Sequence, residues 1–453
     1  MTTKRSSFTG KIGFVLAAAG SAVGLGNIWR FPYLAAKYGG GIFLLVYIAL
    51  SVTFGFSLMV AEIAIGRKTQ QSAIGAFKAL DKRFSFIGLL GAIVPIIILP
   101  YYSVIGGWVM KYMVGFVSGQ TSAMAEDSYF GSYIGSVGEP LVWFLVFMAV
   151  TAVIVLLGVE KGIEKVSKIM MPVLIILILF VAIYTICTVD GAIDGVIYYI
   201  KPDFSKFSLM TVVAAMGQLF YSMSLAMGIM ITYGSYMKKD VSIERATEQI
   251  EVFDTGVAFL AGLMIIPAVF AFSGGDPAAL GQGPGLMFIT LPKVFNVMPG
   301  GSVIGTVFFL MVLLAALTSS ISLMETIVSI FHDKFKLDRK LCCLTVFGIC
   351  LVLGIPSSLG YSLWSGVKIM GMQVLDFFDF ISNSIIMPIV ALLTCIFVGF
   401  ILKPKAIIEE VQIEGEKFRL KSMFSVVIRF VAPVCILVIL ISSVLSALGI
   451  IKI

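Results

Sequence analysis

Eleven stretches of the chain carry no Asp, Glu, Lys or Arg and are separated by short charged connectors: 12–29, 38–61, 84–110, 140–159, 169–189, 207–237, 255–275, 294–324, 341–367, 380–402 and 430–451. About 20 apolar residues cross ~30 Å of hydrocarbon as a helix, so each stretch predicts a membrane span. The tenth is expected to begin earlier, near Ile369, and to carry Asp376 and Asp379 near one end. The eighth continues into a charged helical extension over 325–336. A membrane β-barrel would show short alternating segments rather than these long runs.

Composition narrows the class and charge sets the orientation. Of 453 residues, 59% are hydrophobic and 13% charged, against about a quarter charged in soluble domains. This excludes a soluble globular protein or a disordered chain and leaves a polytopic α-helical membrane protein. With the N-terminus inside, 24 of the 32 Lys and Arg residues fall on inner connectors. The other eight (Arg30, Lys37, Lys111, Lys201, Lys206, Lys293, Lys368 and Lys452) scatter over the outside. The bias predicts a multi-pass protein of the cytoplasmic membrane with its N-terminus cytoplasmic and its C-terminus extracytoplasmic. The net charge of +7 then reports topology and gives no reason to expect a nucleic-acid partner. Lys4, Arg5 and Lys11 before an apolar stretch could mimic a signal peptide, but that stretch runs on through Gly24, Gly26 and Asn27 to Pro32. The lone His332 and six cysteines set in or beside apolar runs argue against a zinc, haem or iron–sulfur centre and against a disulfide framework.

Two of the stretches make poor helices. The first holds Gly20, Gly24 and Gly26, then Asn27; the sixth runs from Gln218 through Ser222 and Ser224 to Gly228. Each Gly costs a helix about 1 kcal/mol relative to Ala. Close helix packing through small residues is the plain alternative. Clustering beside Asn27 and Ser222, and recurrence five spans apart, point instead to inverted repeats, one over 11–200 and one over 207–402, with an eleventh span in 425–453. Unwound backbone at membrane depth is tolerated where it lines a cavity, and its carbonyls can hold a cation. Three adjacent hydroxyls, Thr318, Ser319 and Ser320, recur as a polar signal in the eighth span; hydroxyls of this kind can also bond back to their own helix. Asp254, at the predicted start of the seventh span, is either an intramembrane functional carboxylate or a cap. Arg30 and Asp379 lie near the outer ends of their spans, and a structural salt bridge and a gate are both open readings. No HExxH, P-loop or nucleophile–His pair is present, so no enzyme is expected, and oxygen-rich sites of this kind suit a hard cation such as Na⁺.

The run from Gly20 through Asn27 and Trp29-Arg30-Phe31-Pro32 to Tyr33, followed by Gly39-Gly40-Gly41, resembles the first-helix signature of the neurotransmitter:sodium symporter family. The resemblance continues in Tyr101-Tyr102, 218–228, 315–320 and 376–379, and covers essentially the whole chain. It points to the bacterial amino-acid transporter branch. The implied architecture is an all-α membrane protein of eleven transmembrane helices, a 5+5 inverted repeat with broken helices 1 and 6, the leucine-transporter-like fold. One Na⁺ site would use the carbonyls of Ala22 and Ser222 with the side chains of Asn27, Ser222 and Asp254 and the substrate carboxylate. The second would use the carbonyls of Gly20, Val23 and Ala315 with the hydroxyls of Thr318 and Ser319. Ala22, Gly24, Leu25, Gly26, Ile98, Tyr102, Phe220, Tyr221, Ser224, Met227, Ser319 and Leu323 would line the substrate pocket, with Tyr102 binding the substrate carboxylate and Tyr221 as lid. Arg30 with Asp379 would close the outer vestibule, and Arg5 with Asp333, supported by Tyr236, the inner one. Gly162 and Pro172 reproduce a Gly-x₉-Pro spacing of the family and would form a hinge.

Two departures from the family pattern carry information. Gly24 stands where monoamine carriers have Asp, so the substrate should bring its own carboxylate. Asp254 stands where chloride-dependent members have Asn, and Ala258, one turn on, cannot supply a charge. The resemblance therefore implies a symporter that imports a neutral, hydrophobic or aromatic L-amino acid by alternating access, coupled to two Na⁺ without chloride. A membrane protein of the same fold that senses amino acids without moving them is the alternative. Amino acid, Na⁺ and lipid are the expected partners; oligomeric state is not legible.

Overall fold

The computed structural model describes residues 6–274 and 283–447, and among them helix dominates, with two isolated bridges and no strand. Among the described residues nine helices are long and apolar enough to cross a membrane: Gly41–Thr69, Lys82–Val117, Gly138–Leu156, Val159–Thr188, Ile243–Phe272, Gly301–Phe335, Arg339–Leu359, Val374–Ile401 and Lys421–Ser446. Ahead of them Lys11–Ala22 and Gly26–Lys37 form one span bent by 54°. Leu209–Ser222 and Ile229–Ser235 flank a second interruption. Counted in chain order these are eleven spans, with the first and sixth broken, and the numbering below follows that order. The end of the bundle that holds the N-terminal segment is called inner.

Several boundaries differ from the sequence reading, among them the start of the fifth span at Val159 rather than 169 and of the eleventh at Lys421 rather than 430; three further starts need comment. The seventh span starts at Ile243 and not at residue 255, so Asp254 lies a third of the way along a continuous helix and the capping alternative falls away. Charge-free counting missed the start because the first turns are polar. The eighth span starts at Gly301; residues 294–297 belong to a separate helix, Leu291–Val297, and Gly300 takes a left-handed φ of 62° between them. The tenth starts at Val374, since Ile369 and Met372 pair in a tight turn. The extension of the eighth span is as expected, helical to Phe335.

The eighth span is the axis, with 83% of its apolar window buried against 33% for the eleventh. The second span and the inner half of the sixth pack almost backbone to backbone, because a Cβ on Gly66 would lie 1.9 Å from the Ile231 carbonyl oxygen. Both breaks are anchored from neighbouring spans. After Ser222 the chain enters the left-handed region at Ser224 (φ 53°), Ala226 (φ 62°) and Gly228 (φ 74°). For the two non-glycines such a conformation costs of order 1–3 kcal/mol each and persists only where surroundings dictate it. Here the Ala226 N–H donates to Oε1 of buried Glu62 at 2.8 Å, and the Ser224 hydroxyl donates to the Ser21 carbonyl at 2.9 Å.

Candidate functional site

The two breaks face one another across the bundle centre, and two groups of oxygen atoms lie beside them. In the first, Asp254 Oδ1 accepts from the Ser222 hydroxyl at 2.6 Å and from Asn27 Nδ2 at 2.8 Å. Its Oδ2 accepts from the Tyr47 hydroxyl at 3.1 Å. All four residues are buried. Asn27 is held in turn by the Gly24 N–H, which donates to its Oδ1 at 3.1 Å. The structure thus brings Asn27, Ser222 and Asp254 together as read from sequence and adds Tyr47. The carboxylate and hydroxyls form an oxygen set suited to a hard monovalent or divalent cation, while Asn27 turns its amide nitrogen to Asp254 and its oxygen to the Gly24 N–H.

The second group lies on the other side of the first span. Ser319 Oγ is 3.4 Å from the Val23 carbonyl oxygen and 3.2 Å from that of Ser21. Thr318 Oγ donates to the carbonyls of Ala315 and Leu314 at 3.0 and 3.1 Å, the back-bonding a helix offers any hydroxyl. Gly20 meets this helix closely, since a Cβ there would sit 3.2 Å from Thr318 Cβ. Gly20, Val23, Ala315, Thr318 and Ser319 are therefore neighbours.

Between the groups is a small cavity of about 40 Å³. Of the expected pocket residues, Ala22, Gly24, Leu25, Gly26, Ile98, Tyr102, Tyr221, Ser224, Met227, Ser319 and Leu323 line it. Phe220 does not; its ring packs on Phe54 at 5.1 Å and borders a neighbouring outer cavity with Arg30. Ser21 and Ile229 line the cavity without having been singled out. One wall is apolar and the other carries backbone N–H groups and hydroxyls, with Tyr102 OH accepting from the Leu25 N–H at 3.4 Å. A Cβ on Gly24 would lie 2.8 Å from Ser319 Oγ and 3.2 Å from Tyr102 OH, so a side chain there would crowd both hydroxyls.

Toward the outside, the Tyr221 ring covers Gly26, and the Arg30 guanidinium lies 5.4 Å from the ring centroid. Asp379 accepts from the Tyr101 hydroxyl at 3.0 Å and from Asn383 Nδ2 at 2.7 Å. Arg30 and Asp379 act on each other electrostatically but form no ion pair within 4.0 Å. Toward the inside, Asp333 accepts the Ser72 N–H at 2.8 Å and lines, with Tyr236, a cavity of about 680 Å³. Arg5, its expected partner, lies outside the described residues. The Tyr236 hydroxyl donates to Glu325 at 2.7 Å, and Glu325 is ion-paired with Arg339. Arg339 also donates to the Val155 carbonyl at 2.7 and 3.0 Å.

The N-terminal segment covers this end. Phe8 is buried against Phe14, Tyr233 and Tyr236, and the Thr9 N–H donates to Glu164 at 2.8 Å. Gly162 sits in a π-helical turn, Val159–Glu164, that leads into the helix containing Pro172. Both hinge positions are helical in this structure.

Glu62 and Glu325 directly follow apolar runs and Arg339 lies just before one, so a carboxylate immediately beside an apolar run was the available signal for this part of the site. Nothing in the local sequence distinguishes Tyr47 from other tyrosines.

A family model described as the sodium:neurotransmitter symporter family matches residues 5–124 and 127–450. The chain is 36% identical to the sodium-dependent transporter YhdH of Bacillus subtilis over 96% of this chain and 97% of that one. It is 35% identical to a sodium-dependent transporter of Haemophilus influenzae over 98% and 100%. Among solved structures, MhsT in complex with L-phenylalanine superposes with a TM-score of 0.87 at 38% identity, covering 97% of this chain and 100% of that one.

Proposed function

Because this chain belongs to the sodium:neurotransmitter symporter family, and is thus a multi-pass, sodium-dependent transporter, we propose that it imports a neutral hydrophobic or aromatic L-amino acid with two Na⁺ and without chloride. The observation that carries this reading is the cavity between the broken spans, flanked by the Asn27–Ser222–Asp254 and Val23–Thr318–Ser319 groups.

The substrate carboxylate would lie at the N-terminal end of Gly26–Lys37, where free N–H groups and the helix dipole favour an anion. Tyr102 would donate to it. With Gly24 providing no charge, an amine without a carboxylate would leave that end uncompensated. The apolar wall of Ile98, Met227 and Leu323 receives the side chain. At about 40 Å³ the cavity must widen for an aromatic ring, and Met227, unbranched and flexible, is the residue suited to yield. The bound L-phenylalanine of MhsT fits the same class.

An elementary charge crossing ~100 mV is worth about 2.3 kcal/mol, and a tenfold gradient about 1.4 kcal/mol. Two Na⁺ then supply about 7 kcal/mol, enough for roughly 10⁵-fold accumulation. The proposed orientation, N-terminus cytoplasmic, puts the Tyr236–Glu325–Arg339 end on the low-sodium side. The test is uptake of radiolabelled amino acids into vesicles under an inward Na⁺ gradient, run across the twenty amino acids. Sodium-driven accumulation of Phe, Trp, Leu or Met is expected; Na⁺-dependent binding without accumulation would leave a sensor.

A further inference from the structure

The connector between the tenth and eleventh spans, 404–420, is fastened by buried charges to the second and seventh spans. Arg67, at the inner end of the second span, is 1% exposed. Its Nε donates to Oε1 of buried Glu410 at 2.8 Å, its Nη2 donates to the Glu410 carbonyl, and its Nη1 donates to the Val241 carbonyl at 2.8 Å. One guanidinium thus ties the connector to the turn that joins the sixth and seventh spans. Glu244, buried in the first turn of the seventh span, accepts the Arg419 N–H at 2.9 and 3.1 Å and the Leu420 N–H at 3.1 Å. These amides lead into the eleventh span and would otherwise lack partners. Phe418 is buried with its ring 6.5 Å from that of Phe56 on the second span. Among the described residues, the side-chain hydrogen bonds and ion pairs from 404–420 to spans other than its own neighbours end on the second or seventh.

The connector hangs between two loosened turns. The tenth span ends in a π-helical turn, Phe397–Ile401, and the eleventh holds another, Val427–Val431. Arg429 in the second donates to the Gly399 carbonyl in the first at 3.0 Å. Wider i→i+5 turns mark places where a helix can shift register locally. Lys403 (φ 66°), Glu414 (φ 58°) and Gly415 (φ 81°) add left-handed joints at the start and within the connector.

We propose that 404–420 is a strap that travels with the second, sixth and seventh spans during transport, although it follows the tenth in sequence, and that the two π-helical turns absorb the displacement. This rests on the import proposed above, taken to proceed by alternating exposure of the central cavity to the two sides of the membrane. Arg67 and Glu244 act as positioning residues, since neither touches the cavity.

The test uses pulsed electron resonance distances in the full-length protein, with Cys187→Ser and Cys435→Ser as background. Spin labels go on exposed sites: Glu409→Cys on the strap, Arg245→Cys on the seventh span and Lys340→Cys on the ninth. Between Na⁺ with L-phenylalanine and Na⁺-free buffer, the 245–340 and 409–340 distances should shift together while 409–245 stays constant. A constant 409–340 distance beside a shifting 245–340 distance would overturn the strap alone. A constant 245–340 distance would overturn the alternating exposure on which it rests. As a second readout, Glu244→Gln should lower uptake several-fold while Na⁺-dependent substrate binding is kept; wild-type uptake in that variant would also overturn the proposal.

Discussion

The Tyr47 hydroxyl donates to Oδ2 of Asp254 at 3.1 Å, while Oδ1 of the same carboxylate takes Ser222 and Asn27. Three donors therefore converge on one buried carboxylate; under the function proposed above its fixed charge would take the place of a mobile anion beside two Na⁺. Uptake should be unchanged when gluconate replaces chloride. Asp254→Asn should weaken Na⁺ binding tenfold or more, about 1.4 kcal/mol, and chloride should restore part of the loss. Tyr47→Phe leaves one carboxylate oxygen short of a donor and should cost about 1–3 kcal/mol in stability or ion binding. Collapse of wild-type uptake in gluconate would remove Asp254 from this role.

Asp379 is held by Tyr101 and Asn383 and not by Arg30. A pair that is not closed in this structure contributes little to its stability, so a gating role predicts a kinetic effect. Asp379→Asn keeps an acceptor for Tyr101 and removes the charge. Uptake should fall at least fivefold with thermal stability unchanged within a degree or two. Equal uptake in mutant and wild type, measured at matched expression, would reduce the residue to a structural acceptor.

Thr318 and Ser319 offer hydroxyls beside the Val23 and Ala315 carbonyls. Thr318→Val with Ser319→Ala keeps the shapes close and removes both oxygens. Substrate binding should then require roughly tenfold more Na⁺, read by titrating scintillation-proximity binding. An unshifted Na⁺ curve in the double variant would show that the hydroxyls only bond back to their helix.

What was legible in the sequence divides along physical lines. Apolar runs announced the spans because the bilayer demands them, and Gly20, Gly24 and Gly26 announced the first break because they admit Thr318, Ser319 and Tyr221 closely, whereas in the sixth span two of the three left-handed positions are Ser224 and Ala226. Helix starts were misplaced at Ile243 and Gly301 for the same reason: hydropathy reports where lipid begins, whereas the helix continues into polar surroundings or restarts after a turn. Tyr47 was illegible because its role comes from a neighbour 207 positions away. Glu62 was hidden differently. Its task is to hold the Ala226 N–H of a strained turn, and no local pattern in either segment signals that pairing.

The last prediction concerns release of the second Na⁺. Pro172 has no N–H, so the Lys168 carbonyl lacks its usual helical donor, and the ring crowds that turn. The π-helical turn Val159–Glu164 just before it is already a departure from the α-helical ladder. Glu164 in that turn is clasped by the Thr9 N–H at 2.8 Å and Lys168 at 2.6 Å, so the N-terminal segment pins the loosened stretch to the bundle. Met171, beside Pro172, would lie 3.3 Å from a Cβ on Gly20, which puts the hinge directly against the second ion group. Unwinding of 162–172 would open a water path to that group from the inner end. A static kink would do no such thing. Pro172→Ala restores the missing donor and should slow uptake several-fold, leave Na⁺-dependent binding near wild type, and lower hydrogen exchange over 162–171. Uptake and exchange both at wild-type level would mean that Pro172 bends the helix and does nothing more.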